Sequence, residues 1–175
     1  MSVNQKQMGA YYTKEDISDY IAKNTIIPFL FQSVEKKHPA SFEPGGLIWQ
    51  LLRENPDHYI YETFRCEHFL PTETEREFRA RRERYIEIMA RLLAGEIVSI
   101  NDLITYNLDI GRFAQDVIKH CADPNLLQTF FESLKQMTIL DPTCGYGAFL
   151  FAADKPPARP AAPRHRSFGR RRRAG

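Results

Sequence analysis

Apolar residues recur at three- and four-residue steps along most of this chain, the spacing of amphipathic helices. Ile17, Tyr20 and Ile21 open the first such pattern. Thr13 is placed to cap it, and Glu15 and Asp16 sit where the positive end of the helix dipole favours carboxylates. Asn24-Thr25 and Pro28 mark a break, after which Phe29, Leu30, Phe31 and Val34 continue helically. Residues 38–46 read as a loop, and Leu47 to Leu52 as a short apolar turn or helix stopped by Asn55-Pro56. The longest helical pattern spans residues 72–94, with Phe78, Tyr85, Met89 and Leu92 on one face. A further helix carries Ile110, Phe113, Ala114, Val117, Ile118 and Cys121. The next starts at Asp123-Pro124, with Leu126, Leu127, Phe130, Phe131 and Leu134 on its buried side.

The pattern then changes. Thr138-Ile139-Leu140 predicts a strand, followed by Asp141-Pro142-Thr143-Cys144-Gly145-Tyr146-Gly147-Ala148-Phe149-Leu150, a glycine-bearing turn opening a helix. Gly145 and Gly147 permit a tight turn and close backbone approach, and the N-terminus of the following helix offers free N–H groups. Taken alone, the residues also fit a plain structural role: Asp141 as a helix cap and Phe149 as core.

Gly9-Ala10-Tyr11-Tyr12-Thr13 at one end and this turn at the other together resemble the start of a large adenine-specific DNA methyltransferase, of the kind found in fused restriction-modification and phage-exclusion systems. The resemblance covers residues 5 to about 153. Tyr146 stands where that family usually has Ser, and Lys14 where many members have Pro.

The resemblance implies a predominantly α fragment, in which a helical N-terminal region (1–137) leads into the first strand of an S-adenosylmethionine-dependent, Rossmann-like α/β fold (138–153). It also implies S-adenosylmethionine as cofactor and double-stranded DNA as substrate. Tyr11, Tyr12 and Thr13 would close the cofactor pocket on one side. On the other, Asp141 would shape the turn, Pro142, Thr143 and Cys144 would form a wall, Gly145 and Gly147 would let the backbone approach, and Phe149 would pack beneath. The family takes the adenine amine with an Asn/Asp-Pro-Pro-aromatic motif after a later strand. That motif does not occur in this sequence. Asn55-Pro56-Asp57-His58 lacks the second proline and follows no predicted strand, so it reads as a turn. The chain is therefore expected to carry half a cofactor site, no catalytic residues and no activity alone. A separately encoded C-terminal half is one route to a complete enzyme.

Charge divides the chain in two. Residues 154–175 hold eight of the 24 basic residues and one of the 22 acids, a net +7, which leaves −5 on residues 1–153. This tail, ending in Arg170, Arg171, Arg172 and Arg173, has one large apolar residue, Phe168, and too little to build a core. It is either a basic arm that binds nucleic-acid phosphates or out-of-frame translation of a GC-rich gene beyond codon 153. In the first case the chain would be a non-enzymatic, helical binding protein.

The mixed signs over residues 75–84 mark a solvated face with local ion pairs, and DNA contact by Arg79, Arg81 and Arg82 is the lesser reading. Three widely spaced cysteines suit a reducing cytoplasm, and no run approaches a membrane span. Cys66-Glu67-His68 and His120-Cys121 are isolated pairs, too few ligands for zinc. Glu35-Lys36-Lys37 has nuclease-like spacing without an upstream acid, and the eight residues before Gly9 leave no room for a nuclease domain.

Overall fold

A computed structural model describes residues 13–141 and 147–154, and these are predominantly helical. The helices are α1 (Glu15–Glu35), α2 (Leu47–Glu54), α3 (Glu62–Arg65), α4 (Glu75–Ala94), α5 (Ile100–Thr105), α6 (Ile110–His120), α7 (Pro124–Gln136) and α8 (Ala148–Asp154). Short 3₁₀ turns at Pro39–Phe42 and Pro56–Tyr59 join α1 to α2 and α2 to α3. None of the described helices is long and apolar enough to cross a membrane.

Helix α1 runs unbroken through the expected break at Pro28. Proline removes one N–H from the ladder, and upstream of it Asn24 and Thr25 turn their side chains onto their own helix, donating to the Tyr20 and Ile21 carbonyls at 2.8 Å each. Burial of Ala22, Leu30, Phe31 and Val34 on both sides of the proline then holds the rod together. Its N-cap is Lys14, one residue later than expected, and Thr13 is exposed. Helix α4 starts in a capping box between Thr74 and Glu77 and ends at Gly95, whose φ of +70° is the left-handed stop that glycine tolerates best. A second box, Ser99 with Asp102, starts α5.

The core gathers on aromatic rings. Phe31 of α1 meets Phe113 of α6 at 5.8 Å and Phe130 of α7 at 5.1 Å between centroids, while Trp49 of α2 stacks on Phe113 at 5.6 Å. The Trp49 indole N–H donates to the Phe42 carbonyl at 3.0 Å, so its one polar atom is satisfied inside. Ile88 and Leu92 bring α4 onto this core; Ile88 lay outside the expected face, whereas Phe78, Tyr85 and Met89 are only half-buried.

Helix α7 is rotated from expectation. It buries Leu126, Thr129, Phe130 and Ser133 and leaves Leu127, Phe131 and Leu134 exposed. The rotation brings Thr129 to His38, whose Nε2 lies 2.7 Å from the hydroxyl. Because that hydroxyl donates to the Asn125 carbonyl, His38 is the donor of the pair.

The expected strand is not formed. Thr138, Ile139 and Leu140 pair with nothing, and the described residues hold a single antiparallel bridge, Ile60 to Leu108. A strand is stabilised by ladder partners on its edges, and no other segment of the described chain reads as a strand. Leu140 is accordingly 88% exposed.

Candidate functional site

The expected cofactor residues divide between the start of α1 and the segment from residue 138 to α8. Tyr11, Tyr12, Pro142, Thr143, Cys144 and Gly145 lie outside the described residues, as do Arg170 to Arg173 of the tail. Thr13, Asp141, Gly147 and Phe149 are described.

Helix α8 packs along α1. Gly147 has φ +79°, a conformation that strains any L side chain, and a Cβ there would meet the Phe151 ring at 3.4 Å. Its carbonyl accepts from the Phe151 N–H at 2.8 Å, closing the first turn of α8. That turn brings Phe149 to the same cleft as Ile21, Ala22, Thr25 and Ile26 of α1. Together with Ile139, Leu140 and Asp141 these residues line its volume of about 200 Å³.

The cleft is apolar except for Asp141, which is half-buried, and Thr25, whose hydroxyl hydrogen is taken by the Ile21 carbonyl. A pocket for a cofactor-sized molecule usually needs roughly 300–1,000 Å³. The described lining is thus smaller than a full site. It offers one carboxylate and an apolar wall, but no nucleophile and no acid–base pair. Thr13 sits roughly 12 Å of helix rise before Ile21, so the two segments meet along α1, beyond the Thr13 end itself.

Three polar hubs lie elsewhere. Arg81 is the most complete: its five guanidinium hydrogens go to Glu73 (2.7 and 2.9 Å) and to the carbonyls of Thr63 (3.0 Å), Cys66 (2.6 Å) and His68 (2.9 Å). Glu73 also accepts from the Leu70 N–H at 2.9 Å. These bonds, those of Arg81 foremost, hold the Glu73 carboxyl down at about 2. Asp57 accepts from Tyr85 at 3.0 Å and Arg65 at 3.2 Å, tying the turn before α3 to α4. Asp116 of α6 accepts from Tyr59 at 3.2 Å and lies 3.1 Å from His58. Burial, and then Asp116, push the Tyr59 phenol well above its usual range.

Asn55-Pro56-Asp57-His58 is therefore a structural knot, in keeping with its reading as a turn. Arg79 pairs with Glu75 one turn away, and Arg82 lies over the Tyr85 ring at 4.9 Å. Glu35, Lys36 and Lys37 end α1 on an exposed face. Among the described residues no three His, Cys, Asp or Glu side chains converge as metal ligands.

Comparison with protein-family models, with curated proteins and with solved structures returned no match to this chain.

Proposed function

We propose that the chain supplies one half of an S-adenosylmethionine site in an adenine-N6 DNA methyltransferase, of the fused restriction-modification or phage-exclusion type, and that it is inactive alone. The observation that carries this reading is the packing of α8, which follows the Gly145-Tyr146-Gly147 sequence, on α1, which follows Tyr11-Tyr12-Thr13 in sequence. The left-handed backbone of Gly147 and the half-buried carboxylate of Asp141 add to it. In this reading the Rossmann-like sheet is completed by further strands, from a continuous chain or a separate C-terminal half. The Asn/Asp-Pro-Pro-aromatic motif that would receive the adenine amine comes with them. Asp141 holds the polar part of the cofactor, and Gly147 lets the backbone approach it.

Equilibrium dialysis with labelled S-adenosylmethionine tests the proposal on the full chain, on Asp141→Ala and on Gly147→Val. Weak binding is expected in the wild type, with a loss of about tenfold in each variant, the scale of one hydrogen bond to a charged group. No retained label in the wild type overturns the cofactor assignment. Transfer of labelled methyl to adenine-containing DNA by this chain overturns the inactivity.

The +7 charge of residues 154–175 favours a second reading, a nucleic-acid-binding protein working through Arg170 to Arg173. It requires salt-sensitive DNA binding that vanishes when residues 154–175 are deleted, together with no affinity for the cofactor. Translating the gene in all three frames beyond codon 153 separates the two readings. A continuation to an Asn-Pro-Pro-Tyr-like motif supports the methyltransferase, and its absence supports the basic arm.

A further inference from the structure

A second cleft lies between α2 and the corner joining α6 to α7, sharing no lining residue with the one at α8. It measures about 520 Å³, within the range of pockets that enclose small molecules. Its walls include Leu47, Leu51, Val117 and Leu126, and its lining carries the carboxylates of Glu54 and Asp123 and the imidazole of His120, but no lysine or arginine. Leu47, at the first position of α2, is 72% exposed and lines the cleft.

The walls are held in place before any ligand arrives. Gly46 turns so tightly that an added Cβ would lie 2.6 Å from the Ser41 carbonyl oxygen, and its N–H donates to Glu43 at 2.8 Å. Gln50 reaches back to the Gly45 carbonyl at 3.3 Å. On the far side Asp123 caps α7 through the Asn125 N–H at 2.9 Å, fixing its carboxylate, and the Cys121 thiol donates to the Asp123 carbonyl at 3.3 Å. Glu54 forms no ion pair among the described residues. Arg53, the nearest cation in sequence, turns the other way and lays its guanidinium over Gly95.

We infer that this cleft binds a small apolar ligand bearing an ammonium group, with the hydrocarbon against the leucines and the cation between Glu54 and Asp123. The charge distribution disfavours the opposite polarity: a phosphate or carboxylate ligand would meet two carboxylates, with the His120 imidazole as the one basic group of the lining. The apolar groove lined by Leu30, Ile118, Leu127, Phe131 and Leu134 has no such polarity, and nothing in the structure says what covers it.

Saturation-transfer NMR on the full chain with tryptamine, neutral 3-ethylindole and anionic indole-3-propionate tests the inference. Tryptamine should bind roughly two- to tenfold more tightly than 3-ethylindole, the scale of two solvent-exposed ion pairs, and indole-3-propionate most weakly. Ala122→Trp, an exposed position on the lining, should abolish binding of all three. The Glu54→Gln/Asp123→Asn pair should leave 3-ethylindole bound and remove the preference for the amine, since Asn caps a helix as well as Asp. No transfer to tryptamine at millimolar concentration overturns the inference, as does equal binding of the three ligands or undiminished binding in a folded Ala122→Trp variant.

Discussion

At the scale of single residues the most consequential side chain is Arg81. In sequence it is one cation among alternating charges on a helix, and its solvated-face reading fits Arg79, which pairs with Glu75 one turn away. The structure gives Arg81 a different role. Its partner Glu73 lies before the helix begins, and the other acceptors are backbone carbonyls of residues 63–68. No helical spacing rule reports such bonds, so this role was not legible. Both side chains of the pair are less than a tenth exposed, and removing one leaves the other buried without its partner. Arg81→Ala should therefore lower Tm distinctly more than Arg79→Ala, whose loss is expected within about 0.5 kcal/mol. The pH dependence follows from the Glu73 carboxyl, held at about 2 against an ordinary 4.5. A depressed carboxylate stabilises fully above its unfolded value and loses that contribution as pH falls through its folded one. The Tm gap between the wild type and Glu73→Gln should thus be constant above pH 5, narrow below about 4.5 and close near 2. A gap that widens on acidification would contradict this.

At the scale of elements, helices were legible where apolar periodicity and end signals agreed, and less so where one was missing. Asp123 and Pro124 show the agreement: α7 starts at Pro124, and Asp123 accepts from the Asn125 N–H at 2.9 Å. Ser99 and Asp102 cap α5 without having been read from the sequence: the Asp102 N–H donates to the Ser99 hydroxyl at 3.1 Å, and Asp102 accepts from the Ser99 N–H at 2.9 Å. Ser99→Ala should cost about 1 kcal/mol in denaturant unfolding, the usual value of a lost N-cap, with the slope unchanged. A neutral substitution would mean that α5 is held by packing of Ile100 and Leu103 alone. Three elements defeated the pattern. Pro28 signals a break, but burial on both sides of it carries α1 through. In α7 the apolar positions cover more than one face, so periodicity alone could not choose between the stripe of Leu126 and Phe130 and that of Leu127, Phe131 and Leu134. Thr138 to Leu140 has strand composition, but a strand is a property of its neighbours. Of the expected cofactor site, the sequence made the motif residues and the α8 helix visible. It could not show that α8 would lie on α1, because that contact joins segments more than a hundred residues apart.

At the scale of the whole molecule, the core is closed at one end and open at the other. Around Phe31, Trp49 and Phe113 the side chains are buried to within a few per cent, as in any well-packed domain. Around α8 they are not: Leu140 is 88% and Phe151 70% exposed, with Ile139 and Leu150 beside them. Such a patch favours self-association or capture by a chaperone unless a partner covers it. Thr138 to Leu140 beside it, in no ladder, adds backbone groups that can template intermolecular pairing. The closed end should be indifferent to changes at the open one, because Leu140 and Phe151 contribute little buried area. Leu140→Lys/Phe151→Glu should raise the monomeric fraction in size-exclusion chromatography at matched concentration and leave the cooperative melt of the core within a few degrees of wild type. Trp49 reports that melt directly, since it is the only tryptophan and is buried in the core. If the wild type is already fully monomeric and the double variant behaves identically, the open end is not a source of association. If instead the variant lowers Tm sharply, the α8 segment is part of the cooperative core, and the division into a closed and an open end is wrong.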